Sequence, residues 1–264
     1  MLNGITFDYD GTIGQTFERQ FNWFRHWAKV NDKKFLFKKT ELREFRSFYN
    51  ENCTLEKGVQ NVYDALSLPC DMNDYEHPVW RAYEKFKADN PVSFYPGIKD
   101  AIVKIWEMGH LSQNPERNRR LRLSINTTNT WQSIYQDLAR GGILGCFDCY
   151  VTDEVLRAYH GAGQATALYK PSRVSLALTL GLIDSSGDSV MHVGDSLSDL
   201  AASQKVFTLN PSRPETLTTV GVAWGYEGRE KLEKGVKIAD GTTAHFNYII
   251  DKPEELVGIV EGLM

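Results

Sequence analysis

The sequence predicts an α/β fold: a Rossmann-like doubly wound parallel sheet, interrupted after its first strand by an all-helical insert. A short apolar run, Leu2-Asn3-Gly4-Ile5-Thr6-Phe7, enters a loop rich in carboxylates, as a strand does when it stops abruptly. From about Thr16 to Asn90 apolar residues recur only at helical spacing. After Pro91 strand-like and helix-like segments alternate, and such alternation builds parallel sheets with helices on both faces.

Gly11 marks the end of the first strand. In the insert, Phe21, Phe24, Trp27 and Val30 fall on one stripe and Leu55, Val59, Val62 and Leu66 on another. Breaks at Asn31-Asp32, Asn50-Glu51-Asn52 and Pro69–Asp74 divide the insert into roughly four helices. Trp23 and Trp27, four apart, are assigned to a packed helix face rather than to a ligand ring. The α/β domain therefore spans residues 1–14 and 93–264, and the helical domain residues 15–92. Beyond the insert, a helix from Gly97 to about Met108 is expected to end at Gly109. Strands are predicted at Leu121–Thr127, Cys149–Thr152, Ser189–Val193, Val206–Leu209 and Gly221–Trp224. Helices are predicted at Trp131–Ala139, Ser172–Leu180, Leu197–Ser203 and Pro253–Gly262.

Composition narrows the partners. Over 264 residues, 42% hydrophobic and 24% charged content are globular values that exclude wholesale disorder. Thirty Lys and Arg against thirty-four Asp and Glu leave a formal net charge of −4, so no global cationic field attracts nucleic acid or an anionic membrane. No apolar window is long enough to span a bilayer and no signal-peptide pattern opens the chain, so the expected address is cytoplasmic. Four cysteines are too few for a disulfide framework, and the Cys146/Cys149 pair is read as ordinary thiols. The basic stretch Arg117, Arg119, Arg120 and Arg122, beside Asn114-Pro115, is read as a solvated loop.

Chemistry gathers at strand ends. In Phe7-Asp8-Tyr9-Asp10-Gly11-Thr12 two carboxylates stand one residue apart, so both can project into the crevice at the carboxyl edge of the sheet. Val193-Gly194-Asp195-Ser196-Leu197-Ser198-Asp199 repeats the pattern on a later strand. Hard oxygen ligands of this kind suit Mg²⁺ better than Zn²⁺. Leu123-Ser124-Ile125-Asn126-Thr127-Thr128-Asn129 ends a strand in hydroxyl and amide side chains at a helix start, where a phosphate can be met. Lys170, directed by Pro171 in Tyr169-Lys170-Pro171-Ser172, can neutralise carboxylates and phosphate together. Each signal alone is weak; four of them at the ends of parallel strands converge on one edge.

In these residues the chain resembles the haloacid dehalogenase superfamily, in its phosphoglycolate-phosphatase-like branch. Asp8-Tyr9-Asp10-Gly11-Thr12 resembles the first motif, Thr128-Asn129 the second, Lys170-Pro171 the third, and Gly194-Asp195-Ser196 with Asp199 the fourth. The helical insert resembles the family's cap, and residues 221–226 and 252–256 its C-terminal stretch, so the likeness covers almost the whole chain. The resemblance implies a phosphatase in which Asp8 is the nucleophile and Asp10 the general acid and base. It implies Mg²⁺ held by Asp8, the main-chain carbonyl of Asp10 and Asp195. Thr128, Asn129 and Lys170 bind the phosphoryl group, Lys170 also stabilises charge in transfer, and Asp199 orients its neighbours. Thr128 is chosen over Thr127 because Asn129 follows it.

Asp10 argues against the halide-removing branch, which lacks an acid there. A phosphomutase or phosphonate hydrolase on the same core stays open, as does a binding module without catalysis. The expected partner is a small phosphorylated metabolite selected by cap closure, with the protein a monomer or homodimer. Longer stretches at Leu111–Arg120 and Leu156–Tyr169, and Ile13-Gly14-Gln15-Thr16 after the first motif, depart from the family pattern.

Overall fold

The computed structural model describes residues 1–53, 58–72, 74, 76–111, 120–161, 165–210, 213–238 and 241–264. Leu55, Asn114, Pro115, Arg117, Arg119 and most of the 111–120 stretch lie outside the described residues. The chain divides into two compact units, residues 1–14 with 93–264 and residues 15–92.

The first unit begins with β1 (Leu2–Phe7), where the β-branched and aromatic Ile5, Thr6 and Phe7 favour extended backbone. The second unit contributes α1 (Thr16–Val30), α2 (Leu42–Asn52), α3 (Gln60–Ala65) and α4 (Pro78–Asp89). The first unit resumes with α5 (Ile98–Leu111), β2 (Arg122–Asn126), α6 (Trp131–Gly141), β3 (Cys149–Val151), α7 (Asp153–His160) and α8 (Val174–Leu182). It ends with β4 (Ser189–Gly194), α9 (Leu197–Leu209), β5 (Thr216–Val222), α10 (Gly228–Glu233), β6 (Val236–Lys237), β7 (Thr243–Ala244), β8 (Tyr248–Ile250) and α11 (Pro253–Leu263).

Six strands form one parallel sheet in the order β3-β2-β1-β4-β5-β8, flanked by helices; β6 and β7 make a separate antiparallel pair. Both faces are buried. On one, α8 and α9 cover Val190 through Leu176, Leu180 and Val206. On the other, Phe7, Leu123, Ile125, Met191 and Val193 are buried in alternation with their neighbours. Each such side chain contributes about 1.5–3 kcal/mol by leaving water. The α8/α9 face also carries a polar row: Ser124, Thr6, His192 and Thr219 stand side by side in register and are all buried. The Thr6 and Ser124 hydroxyls bond each other at 2.9 Å, the Thr219 hydroxyl donates to Asn247 Oδ1 at 2.9 Å, and His192 Nδ1 lies 2.7 Å from Ser203 Oγ on α9.

The helical unit has an aromatic core. Trp23 and Trp27 stack at 5.3 Å, and their indole N–H groups donate to the Tyr63 hydroxyl at 2.6 Å and the Pro69 carbonyl at 2.8 Å. Val30 does not join the stripe of Phe21, Phe24 and Trp27: it is 55% exposed, because the last turn of α1 runs past the core.

Three other expectations are corrected. Val206–Leu209 is not a strand but the last turn of α9, with Val206 buried on the same face as Ala202 and Ser203, as a helical period requires, and Leu209 exposed at the helix end. The strand in that part of the sheet is β5, which starts at Thr216 and ends before the Ala223-Trp224 part of the expected segment. Gly109 does not end α5, which runs to Leu111; a Cβ at Gly109 would stand 2.9 Å from that of Leu121, so the glycine serves close packing. No helix among the described residues is long and apolar enough to cross a membrane.

Candidate active site

The strand order places β2 on one side of β1 and β4 on the other, which opens a crevice at their carboxyl ends. Asp8 follows β1 directly, and its N–H donates to the Val193 carbonyl at 2.8 Å, extending the pairing by one residue. Tyr9 is buried and its hydroxyl donates to Asp137 at 2.9 Å, which leaves Asp8 and Asp10 to turn the other way. Gly11, at φ +79°, then turns the chain, and the N–H groups of Ile13 and Gly14 both donate to the Tyr9 carbonyl at 3.0 Å.

Lys170 is the hub. Its Nζ donates to Asp8 Oδ1 at 2.5 Å and to the Asn126 carbonyl at 3.2 Å, and pairs with Asp199 Oδ1 at 2.6 Å. Lys205 fixes the backbone beside it by donating to the Pro171 carbonyl at 2.9 Å, and the Tyr169 hydroxyl donates to Asp153. Asp199 is fixed in turn by a capping box at the start of α9, with Ser196 N–H and Oγ donating to its Oδ2 at 3.1 and 2.6 Å.

Asp195 sits in a cradle of main chain. Its Oδ2 accepts the Tyr226 N–H at 2.6 Å. A Cβ on Gly11 would stand 2.0 Å from that oxygen, and one on Gly225 2.2 Å from Asp195 Cβ, so only glycine fits at either wall. Nearby, Glu227 accepts the Leu197 N–H at 2.7 Å at the start of α9.

Asp10 is held apart from this cluster. Asn129 Nδ2 donates to its two oxygens at 2.9 and 2.7 Å, and Thr127 Oγ1 donates to Oδ2 at 3.3 Å. Of the two adjacent hydroxyls it is that of Thr127 that reaches the Asp10 carboxylate, while Thr128, expected to bind the phosphoryl group, is exposed. The reason is local: Thr127 N–H still pairs with the Val151 carbonyl, which turns its side chain inward. The structure thus brings together Asp8, Lys170, Asp195 and Asp199, with Asp10 and Asn129 alongside. The sequence reading placed Thr127 second to Thr128 and missed the Tyr226 amide, Glu227 and His192. For His192 the signal was present, since strand alternation back from Gly194 puts it on the same face.

Electrostatics set the chemistry. Burial pushes Asp8 up to about 7, against the pull of Lys170 and with help from the charges of Asp199 and Asp10. Burial, with Asp8 and Asp199 nearby, holds Asp195 well above the usual carboxylate range. For Asp199 burial acts in the same direction, but the Lys170 ammonium and the surrounding donors overcome it and hold the group low. Burial opposes the charge on Lys170, and Asp199 and Asp8 together hold it above the ordinary lysine value. One oxygen from each of Asp8, Asp195 and Asp199 lies within 4.8 Å of the others. One ammonium against this many buried carboxylates leaves negative charge in excess, and the donors are all hard oxygens, so the residues fit a small divalent cation. Cys146 and Cys149 are free thiols pushed up by burial, the opposite of a reactive pair.

The sequence model of the family described as haloacid dehalogenase-like hydrolase matches residues 5–208. None of the curated proteins matches the chain. Similar solved structures include a haloacid dehalogenase-like family hydrolase of Streptococcus pneumoniae, 16% identical with TM-score 0.59 over 98% of each chain. A protein described as a predicted phosphoglycolate phosphatase of Haemophilus somnus is 15% identical, with TM-score 0.63 over 98% of this chain and 97% of that one. CbbY of Rhodobacter sphaeroides, solved with phosphate, is 20% identical, with TM-score 0.61 over 97% and 96%. At such identities these structures speak for the fold, whereas the family match spans most of the sequence and both strand ends that carry Asp8 and Asp195. The chain belongs to the haloacid dehalogenase-like hydrolases.

Proposed function

We propose that the protein is a Mg²⁺-dependent phosphatase that hydrolyses a small phosphorylated metabolite through an aspartyl phosphate on Asp8. The observation that carries the reading is the Lys170 ammonium between Asp8 at 2.5 Å and Asp199 at 2.6 Å, with a second carboxylate, Asp10, held apart by Asn129 and Thr127. Two carboxylates in different surroundings divide the work, one for attack and one for proton transfer.

Asp8, Asp195 and the main-chain carbonyl of Asp10 would hold the cation, which when bound masks the charge of the phosphoryl oxygens. Lys170 binds one Asp8 oxygen and leaves the other for attack on phosphorus, a positioned nucleophile that needs little intrinsic basicity. Asp10 gives its proton to the leaving oxygen, so the departing group is an alcohol. It then accepts a proton from the water that attacks the aspartyl phosphate, which releases inorganic phosphate and restores Asp8. Lys170 and Asn129 stabilise charge on the transferring group. The helical unit serves as the cap that the family resemblance implies. An acid at Asp10 favours phosphoryl transfer over halide removal, which has no alcohol to protonate.

Asp8→Asn tests the reading. The variant is expected to fold as the wild type does and to release no phosphate from an aryl phosphate in Mg²⁺; unchanged turnover would overturn it. A phosphomutase would instead isomerise a sugar phosphate without releasing phosphate, and the same assay over a panel of sugar phosphates separates the two.

A further inference from the structure

One buried titratable side chain adjoins the carboxylates without a part in the steps above. His192 lies in the polar row of β4, with its side chain 1% exposed. Its Nδ1 is 2.7 Å from Ser203 Oγ, and its Nε2 is 3.8 Å from Asp199 Oδ1 with no hydrogen-bond partner. Ser203 stands on α9 one turn beyond Asp199, with its hydroxyl also 2.9 Å from the Asp199 carbonyl. The imidazole therefore bridges the helix that carries Asp199 and the carboxylate itself.

Burial keeps the ring neutral, holding His192 down to about 4 although Asp199 pulls the other way. A neutral ring has one N–H, and its two placements are not equivalent. With the proton on Nδ1, Ser203 Oγ accepts it, and Nε2 turns a lone pair toward a carboxylate in a dry site. With the proton on Nε2, the Ser203 hydroxyl donates to Nδ1, and the N–H faces the Asp199 charge. That placement gives up the bond the Ser203 hydroxyl donates to the Asp199 carbonyl at 2.9 Å, a carbonyl that lies inside α9 and keeps its place in the helix backbone ladder. The second placement is electrostatically the better one.

Asp199 Oδ1 also faces Lys170 Nζ, which it shares with Asp8 Oδ1. Once Lys170 serves a phosphoryl group, its hold on Asp199 is divided, and a buried carboxylate needs a second donor to stay aimed. We infer that His192 is a positioning residue, whose Nε2–H, set by Ser203, keeps the Asp199 carboxylate directed at Lys170 Nζ. This rests on the phosphatase reading above.

Two substitutions separate this role from packing. His192→Gln keeps a donor near the Nε2 position, and His192→Asn keeps one near Nδ1 only. His192→Asn is expected to lower kcat on an aryl phosphate about ten- to hundredfold with little change in KM, and His192→Gln to restore most of that loss. Equal kcat in the two variants, at wild-type or reduced level, overturns the inference and leaves His192 a packing residue. A wild type that releases no phosphate sinks the phosphatase reading itself, and the inference with it. Nitrogen-15 spectra of histidine-labelled wild-type protein provide a readout that needs no turnover: a ring protonated on Nε2 supports the assignment, and one protonated on Nδ1 overturns it whatever the kinetics.

Discussion

Thr127 and Thr128 are the same side chain one position apart, yet only Thr127 reaches Asp10. Sequence could not choose between them, because the choice depends on where pairing between β2 and β3 stops. Asn126 turns toward α8, donating to Thr179 at 2.8 Å, and Thr127, still paired through its amide, turns toward the carboxylate. A hydrogen bond to a charged group contributes about 1.5–3 kcal/mol, so Thr127→Val is expected to slow aryl phosphate hydrolysis by about tenfold or more with the fold intact. Thr128→Val, at an exposed position, is expected to stay within about a factor of two. Steady-state rates for the pair decide it, and the reverse ranking would return the role to Thr128. The residues legible in the sequence were those whose chemistry is written in their type and order: Asp8, Asp10, Lys170, Asp195 and Asp199. What stayed hidden included backbone groups, such as the Tyr226 amide on Asp195, because an amide has no signature of its own.

At the scale of elements, long periodic segments were legible and short ones were not. α9 begins at the Ser196/Asp199 capping box, but its last turn, Val206-Phe207-Thr208-Leu209, is rich in β-branched and apolar residues and imitates a strand. β8 has three residues, too short to show a period, and is not among the expected strands, nor is α7 among the expected helices; the equally short β3 is expected, as Cys149–Thr152. The glycine walls around Asp195 belong to this scale, because the turns after β1 and β5 pack against the turn after β4. Gly225→Ala would drive a methyl group into Asp195, whose short side chain has little room to yield. The expected result is a loss of about 1–3 kcal/mol in stability together with loss of hydrolysis. Gly258→Ala is the contrasting substitution, since nothing lies within 4 Å of a Cβ there and the residue is helical in α11. That change is expected to stabilise by up to about 1 kcal/mol. Thermal melts of both variants check the contrast, and a neutral Gly225→Ala would mean that the cradle is looser than its geometry states.

Over the whole molecule the net charge of −4 is unremarkable, but its distribution is not, because the buried carboxylates crowd one sheet edge around one ammonium. Such a site works against folding until a cation arrives, and pH exposes the conflict. Asp8 is raised from 3.8 to about 7, so between those values the unfolded chain gives up a proton that the folded chain keeps. Stability from this group is therefore full below about pH 4 and falls as pH rises toward 7, by at most about 4 kcal/mol; Asp195 acts in the same direction. His192 has the opposite sign: its neutral buried ring contributes stability above 6.5 that is lost as pH falls toward about 4. Below 6.5 the two effects oppose each other, whereas above it only the carboxylate effect remains. The metal-free protein is accordingly expected to melt at a lower temperature at about pH 8 than at about pH 6.5, and Asp8→Asn to remove much of that difference. Mg²⁺, which binds the ionised carboxylates, is expected to raise the melting temperature more at the higher pH. Equal Mg²⁺ shifts at both values, or none at either, would show that Asp8 and Asp195 do not share a cation, and the reaction proposed for them would lose its footing.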